Sequence, residues 1–217
     1  MKKYAIALAA AGSLAAIATL PASADHHGAD LPGQMDVSRV AAGTYQTDPA
    51  HTLVGWSVNH FGFNDYHGVF GDAEGTLVID PANPQDARVS VSVPITSVAV
   101  PSEGLRNHLL RPGKDGGSPD FFGAEPAPAT FESTAVTVYG DGTRAIVAGN
   151  LSMNGVTKPV TIEARFTGAG SNPMSQAETI GFHGTTTIMR SDFGIDYALP
   201  VVGDAVELTI SAAFEKQ

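Results

Sequence analysis

Residues 144–167 read RAIVAGNLSMNGVTKPVTIEARFT, and this stretch decides the fold class. Apolar and polar residues alternate on both sides of Asn154-Gly155, as they do in half-buried β-strands. Asn-Gly favours a two-residue type I′ turn, because both central residues of that turn need a positive φ angle. The stretch therefore predicts an antiparallel hairpin with strands over 144–153 and 156–167.

The same alternation recurs from residue 45 onward, at 52–60, 69–80, 87–98, 130–139, 179–190 and 205–214. Only residues 102–110 have a helical pattern, with Ser102 in the N-cap position. About eight antiparallel strands with one short helix predict an all-β domain, either a closed up-and-down barrel or a sandwich. A barrel of this size is either filled by its own side chains or able to hold one small ligand.

The N-terminal residues 1–24 have the pattern of a secretory signal peptide. Lys2 and Lys3 precede an apolar run that ends in Pro21-Ala22-Ser23-Ala24, a small-x-small cleavage site. We therefore expect cleavage after Ala24 and a periplasmic or secreted protein. Residues 25–43 are polar and irregular and predict a flexible leader, and residues 44–217 then form the barrel domain.

Charge and composition exclude several classes of function. The chain has no cysteine, so it has no disulfide and no thiol chemistry. Loss of Lys2 and Lys3 with the signal peptide leaves 10 of the 12 basic residues against 22 acidic ones, a net charge of −12. Such a protein is repelled by nucleic acid and by anionic lipid surfaces. We expect neither nucleic acid binding nor stable membrane insertion, whereas a homodimer is compatible with the sequence.

A series of short motifs resembles the YceI-like family of periplasmic proteins. They are Y-x-x-D-x-x-H at 45–51, V-x-H-x-G at 58–62, G-x-F at 68–70, DFF at 120–122, FES at 131–133, GNL at 149–151, NGVTKP at 154–159 and R-x-D-F-G at 190–194. The resemblance implies an extended lipocalin-like antiparallel barrel that binds a polyisoprenoid, a lipid or another long-chain amphiphile, and it supplies no catalytic set. Residues 112–118, PGKDGGS, depart from the family pattern as an insertion after the helix.

The candidate ligand-binding residues are large side chains on or beside the strands. For any one of the large aromatic side chains, ordinary core is the better interpretation, and the ligand-binding interpretation concerns the group. A fully filled barrel would be a structural interaction module. Small residues at Gly149, Ala164, Gly184 and Ala212 favour an incompletely filled interior. The candidates are Trp56, Val58, His60, Tyr66, Phe70, Val91, Val93, Phe131, Leu151, Phe166, Phe182, Ile188, Arg190 and Phe193.

Histidines raise the alternatives of a metal centre and an enzyme. His60 and His67 bracket residues 61–66 and could face each other across a hairpin. Zinc needs three or four ligands, which this spacing does not supply, so we expect no metal and no cofactor. The main enzyme alternative is an ester or amide hydrolase in which Asp65 orients His60 as a base. Without a G-x-S-x-G motif, we expect a binding protein and not an enzyme.

Two expectations concern ligand chemistry. The net charge of −12 favours a neutral head group, such as an isoprenoid quinone, over a polyprenyl phosphate. Cleavage after Ala24 would also expose Asp25-His26-His27, and a histidine third from a free amine suits Cu(II).

Overall fold

The computed structural model describes residues 31–217, so the predicted signal peptide and the copper-binding pattern lie outside the described residues. This part of the chain has one α-helix, Glu103–Leu109 (α1), and short 3₁₀ turns at Val37–Arg39, Pro84–Asp86, Ile95–Ser97, Lys114–Gly116 and Arg190–Phe193. Its ten strands are Gly43–Thr47 (β1), Leu53–His60 (β2), Asn64–Phe70 (β3), Glu74–Ile79 (β4), Arg88–Val93 (β5), Ala129–Tyr139 (β6), Arg144–Met153 (β7), Val156–Ser171 (β8), Glu178–Met189 (β9) and Val202–Lys216 (β10).

The ten strands form a closed antiparallel barrel with eight positions around its wall. β4 to β10 follow one another as a meander, and β1 closes the ring by pairing with both β4 and β10. β1 and β2 both pair with the same edge of β10, one after the other, so that together they fill one position in the wall. In the same way, β3 pairs with β2 and β4 pairs with β1, and β3 and β4 fill the next position. Two of the eight positions are therefore long strands broken in the middle. The predicted all-β barrel with one short helix is confirmed.

The predicted strand at 69–80 is wrong in its continuity, because the chain breaks between β3 and β4. Asp72 has a φ angle of 52°, and Ala73 is fully buried. Phe70 before the break and Leu77 after it both face the barrel interior, although they are an odd number of residues apart. A continuous strand would send them to opposite faces, so the break restores the inward position of the apolar residues.

The predicted strand at 87–98 is also too long. β5 ends at Val93, and Pro94 precedes a 3₁₀ turn over Ile95–Ser97. Proline has no N–H for the ladder, which is why the strand stops there. The predicted helix is confirmed as α1, with the Ser102 hydroxyl oxygen accepting from the Leu105 N–H at 3.2 Å.

From residue 31, the segment that the sequence predicts to be a flexible leader contacts the barrel. Gln34 and Ala169 of β8 exchange two backbone hydrogen bonds of 3.0 and 2.9 Å. The Tyr45 hydroxyl donates to the Ala41 carbonyl at 2.8 Å. Among the described residues no helix has both the length and the apolar character to cross a bilayer.

The two ends of the barrel differ in how they are filled. At the end that carries the β4–β5, β6–β7 and β8–β9 connections, which we call the packed end, Tyr45, Leu77, Phe166, Ile180 and Phe214 form a buried cluster. The other end carries the β2–β3 and β7–β8 turns, the β9–β10 connection and α1, and we call it the open end. Leu77, Phe166 and Phe214 of this cluster also line the cavity of the barrel, which extends to Pro84 and Thr143 in the connections at the packed end.

Candidate functional site

A cavity of about 800 Å³ occupies the barrel interior. Its wall is built from the alternate residues of the strands that point inward, so the period of two that predicts the strands also produces a continuous apolar lining. On β2, for example, Val54, Trp56, Val58 and His60 all line it. A volume of this size lies within the usual range for sites that enclose a small molecule.

Nearly all of the candidate residues come together in this cavity. Trp56, Val58, His60, Tyr66, Phe70, Val91, Val93, Phe131, Leu151, Phe166, Phe182, Ile188 and Arg190 line it. Phe193 does not, although its side chain is only 1% exposed. The 3₁₀ turn over Arg190–Phe193 ends the strand alternation, and Asn154 Nδ2 donates to the Phe193 carbonyl oxygen at 2.9 Å.

The predicted small residues contribute unequally to the free volume. Ala164, Gly184 and Ala212 line the cavity, and Ala164 and Gly184 are direct partners across β8 and β9. Gly149 does not line it, because the Phe131 ring fills the space that a side chain at residue 149 would need. Three of the four small residues therefore leave room for a ligand, all of them on β8, β9 and β10.

The roof of the cavity comes from a part of the chain outside the strands, and sequence reasoning did not include it in the site. Leu105 and Leu109 of α1 line the cavity one helical turn apart, and Phe121 and Phe122 follow from the long loop. The Phe122 ring packs edge-on against Phe70 with 6.2 Å between centroids. The i, i+4 leucines and the Phe-Phe pair are the sequence signals for this roof.

A charged cluster fastens the loop to the helix. Arg111 Nη2 donates to Asp120 Oδ2 at 2.6 Å, and His108 Nε2 lies 2.7 Å from the same oxygen. Hydrogen bonds from Arg111 first, and then from His108, hold the pKa of Asp120 below its ordinary value. The His108 ring also contacts the rings of Phe121 and Tyr197 at 5.0 and 5.1 Å between centroids. This cluster links three segments at the open end: α1, the loop and the β9–β10 connection.

Polar groups are few in the wall. Trp56 packs against Tyr66 with 6.3 Å between ring centroids, and its indole Nε1 is buried with no hydrogen-bond partner among the described residues. The His60 ring lies between Phe61 and Tyr66, at 4.1 and 6.4 Å between centroids. Trp56, His60 and Tyr66 thus line the same side of the cavity, although the indole N–H itself is covered by protein atoms.

Arg190 is 5% exposed, and its guanidinium donates to three backbone carbonyls. Nε donates to Gly203 at 2.8 Å, Nη1 to Ile195 at 2.9 Å and Nη2 to Val202 at 2.9 Å. Burial lowers the pKa of this side chain from its ordinary value. The R-x-D-F-G motif therefore fixes the path of the β9–β10 connection, while Asp192 pairs at 3.7 Å with Lys158 on the surface.

The histidine pair and the catalytic pair that the sequence allowed are not assembled. In the β2–β3 ladder, His60 is opposite Asn64 and His67 is opposite Ser57, so the two histidines do not face each other. Asp65 is opposite Asn59 and accepts a 3.3 Å hydrogen bond from its side chain, on the face of the hairpin away from His60. Within residues 31–217, no group of three or more His, Cys, Asp or Glu side chains could hold a metal ion.

Solved structures share this barrel. BcnA of Burkholderia cenocepacia matches with a TM-score of 0.61 at 20% identity, over 77% of this chain and 98% of that one. A polyisoprenoid binding domain of Saccharophagus degradans matches with a TM-score of 0.52 at 13% identity, over 80% of this chain and 98% of that one. At these low sequence identities, the two comparisons show a shared fold only.

The sequence itself has nearer relatives. A UPF0312 protein of Ectopseudomonas mendocina is 40% identical over 162 residues, which cover 74% of this chain and 80% of the relative. Residues 45–214, which include every strand of the barrel wall from β2 to β9 and most of β1 and β10, match the family model of the YceI-like domain. The chain therefore belongs to the YceI-like family.

Proposed function

We propose that this protein binds one polyisoprenoid or similar long-chain amphiphile in its barrel and sequesters or carries it in the periplasm. The observation that carries the proposal is the apolar cavity of about 800 Å³. Burial of each methylene group of a ligand yields about 0.8 kcal/mol, so the hydrocarbon tail supplies most of the affinity. The fold shared with a polyisoprenoid binding domain is compatible with such a guest.

The polar groups of the wall favour a neutral head group with an acceptor oxygen. A ligand carbonyl could accept hydrogen bonds from His60 or Tyr66, which both line the cavity. Of the two arginines that line the cavity, the buried Arg190 already donates to three carbonyls, and the exposed Arg144 lies at the start of β7 at the packed end. Together with the mature net charge of −12, this supports an isoprenoid quinone over a polyprenyl phosphate.

Hydrolysis in the barrel has no support from the geometry. A histidine base needs an orienting partner and a nucleophile or water beside it. Asp65 lies on the opposite face of its hairpin from His60 and accepts a hydrogen bond from Asn59. We propose a binding protein without catalysis, delivered by the signal peptide at residues 1–24 and acting as a stoichiometric partner of its ligand.

Competition between two head groups on the same chain length tests this proposal. The purified mature protein is incubated with an isoprenoid quinone and a polyprenyl phosphate of equal length at two salt concentrations. The quinone is expected to bind more tightly, with an affinity independent of salt. Tighter phosphate binding that weakens with salt would contradict the neutral head group, and binding of neither would contradict the lipid-binding function.

A further inference from the structure

The open end of the barrel exposes an apolar rim. Phe63, at the tip of the β2–β3 hairpin, is 89% exposed, and Phe61 beside it is 50% exposed. Val201, on the β9–β10 connection, is 54% exposed, and its carbonyl accepts a 2.8 Å hydrogen bond from the Phe61 N–H. Tyr197 of the same connection adds a further half-exposed ring. We call Phe61, Phe63, Tyr197 and Val201 the rim.

The rim is continuous with the cavity. Phe61, Tyr197 and Val201 each line the cavity while they also face solvent, whereas Phe63 lies outside the lining. An apolar ligand that entered at this end would therefore pass from apolar rim residues directly to the residues of the cavity wall. A large exposed apolar residue at a hairpin tip beside such an entrance is typical of a surface that contacts another apolar phase.

We propose that the rim docks the open end onto the surface of a zwitterionic lipid bilayer, from which the ligand enters the barrel. This inference rests on the proposed function, since a long-chain amphiphile resides in a bilayer before a carrier takes it up. Insertion of a few apolar side chains into the headgroup region gives reversible attachment without a membrane-spanning segment.

The charges near the rim decide the type of bilayer. Asp65 follows on β3, and Asp192, Asp196 and Asp204 lie on or next to the β9–β10 connection. Among the basic residues of this end, Lys158 is paired with Asp192 and Arg111 with Asp120. Arg106 donates to the carbonyls of Val98 and Thr96, and Lys114 lies on the loop after α1. This acidic surround repels anionic lipid, so apolar insertion drives docking, and neutral zwitterionic lipid is the preferred surface.

The test compares Phe63→Ser with a matched control at the other end of the barrel. Met174, in the β8–β9 connection at the packed end, is 91% exposed. Met174→Ser therefore removes an equally exposed apolar side chain far from the rim. The wild type and Met174→Ser are expected to float with phosphatidylcholine vesicles. Phe63→Ser is expected to bind these vesicles at least about tenfold more weakly. Vesicles that contain anionic lipid should bind the wild type less well than pure phosphatidylcholine vesicles.

A second readout separates this proposal from the proposed function. All three proteins should bind a long-chain isoprenoid quinone, supplied from a cyclodextrin complex in the absence of vesicles, equally well, because neither Phe63 nor Met174 lines the cavity. Equal flotation of the three proteins, or flotation of none, would overturn membrane docking even if quinone binding is normal. Loss of quinone binding with intact Phe63-dependent flotation would refute the proposed function alone. A Phe63-dependent dimer in light scattering without flotation would assign the rim to a second copy and overturn the proposal.

Discussion

Trp56 and Gly68 are direct partners across the β2–β3 ladder, and the indole ring occupies the space that a side chain on residue 68 would need. Val100 closes the same space from a neighbouring segment. The absence of a side chain at residue 68 therefore sets the position of the largest aromatic group in the cavity wall.

Gly68→Ala should displace the Trp56 ring and destabilise the protein by about 1–3 kcal/mol, as overpacking usually does. Trp56 is the only tryptophan, so its fluorescence reports both the ring displacement and unfolding in denaturant. The control is Gly55→Ala on β2, where the nearest atom to a new Cβ would be the Thr209 carbonyl oxygen at 3.5 Å. Equal stability and equal spectra in the two variants would contradict this packing.

Arg190→Lys should destabilise the fold by about 3 kcal/mol. A lysine ammonium cannot reproduce the planar fork that reaches the carbonyls of Ile195, Val202 and Gly203, and buried carbonyls would lose their donors. Lys158→Ala removes a cation from the exposed pair with Asp192 and should change stability by less than about 1 kcal/mol. Denaturation midpoints measure both effects, and similar losses in the two variants would show that Arg190 does not hold the β9–β10 connection.

The Asp120 cluster should make the roof sensitive to acid. The folded protein lowers the pKa of Asp120 from its usual 3.8, so the stabilisation is present above that pH and is lost as the pH falls through the lower folded value. Ligand release in the wild type should therefore accelerate only below about pH 4. Asp120→Asn should release ligand quickly already at neutral pH.

Asp80→Asn is the control for this titration. The pKa of Asp80 is also lowered, first by the Ala82 N–H and then by Asn83, but Asp80 lies at the packed end. Stopped-flow release measurements should give the same rate for Asp80→Asn and the wild type at neutral pH. If Asp120→Asn behaved in the same way, the cluster would have no part in holding the roof.

Deletion of residues 112–118 should leave the barrel folded and change the rate of ligand exchange. The segment turns back on itself, since the backbone of Gly113 lies against Gly117 and Ser118. Its two ends are therefore close, and shortening a surface loop costs little when its ends already meet. Unfolding of the deletion variant, seen by circular dichroism, would show that the insertion has a structural role instead.

Strand alternation predicted most of the fold because each inward face is apolar and each turn has its own chemistry. The strand β7 has the bounds 144–153 that the sequence predicts, and the helix α1 has the predicted N-cap residue, Ser102. The break at Asp72 was missed, yet it leaves a trace in the sequence: Phe70 and Leu77 cannot share a face on one unbroken strand.

The site was predictable only where it follows from strand alternation. His60 and His67 are seven residues apart, and their relation depends on the length of the β2–β3 turn, which fixes the pairing of His60 with Asn64. The roof residues Leu109 and Phe122 both line the cavity, and a hydrogen bond from the Phe122 N–H to the Leu109 carbonyl joins their two segments, which lie outside the sheet. The i, i+4 leucines and the Phe-Phe pair mark these residues as apolar anchors, but their place over the cavity comes from tertiary packing.

Mass spectrometry of an organic extract from the purified protein tests the central claim, and a cavity-filling variant makes it specific. Ala164→Leu adds three carbons inside the cavity. Its control, Thr187→Leu, places the same leucine side chain on the exposed outer face of β9. The wild type and Thr187→Leu should each yield one long-chain isoprenoid lipid per barrel, and Ala164→Leu should yield clearly less. A wild-type extract without lipid, from a protein that also takes up no added isoprenoid, would contradict the account.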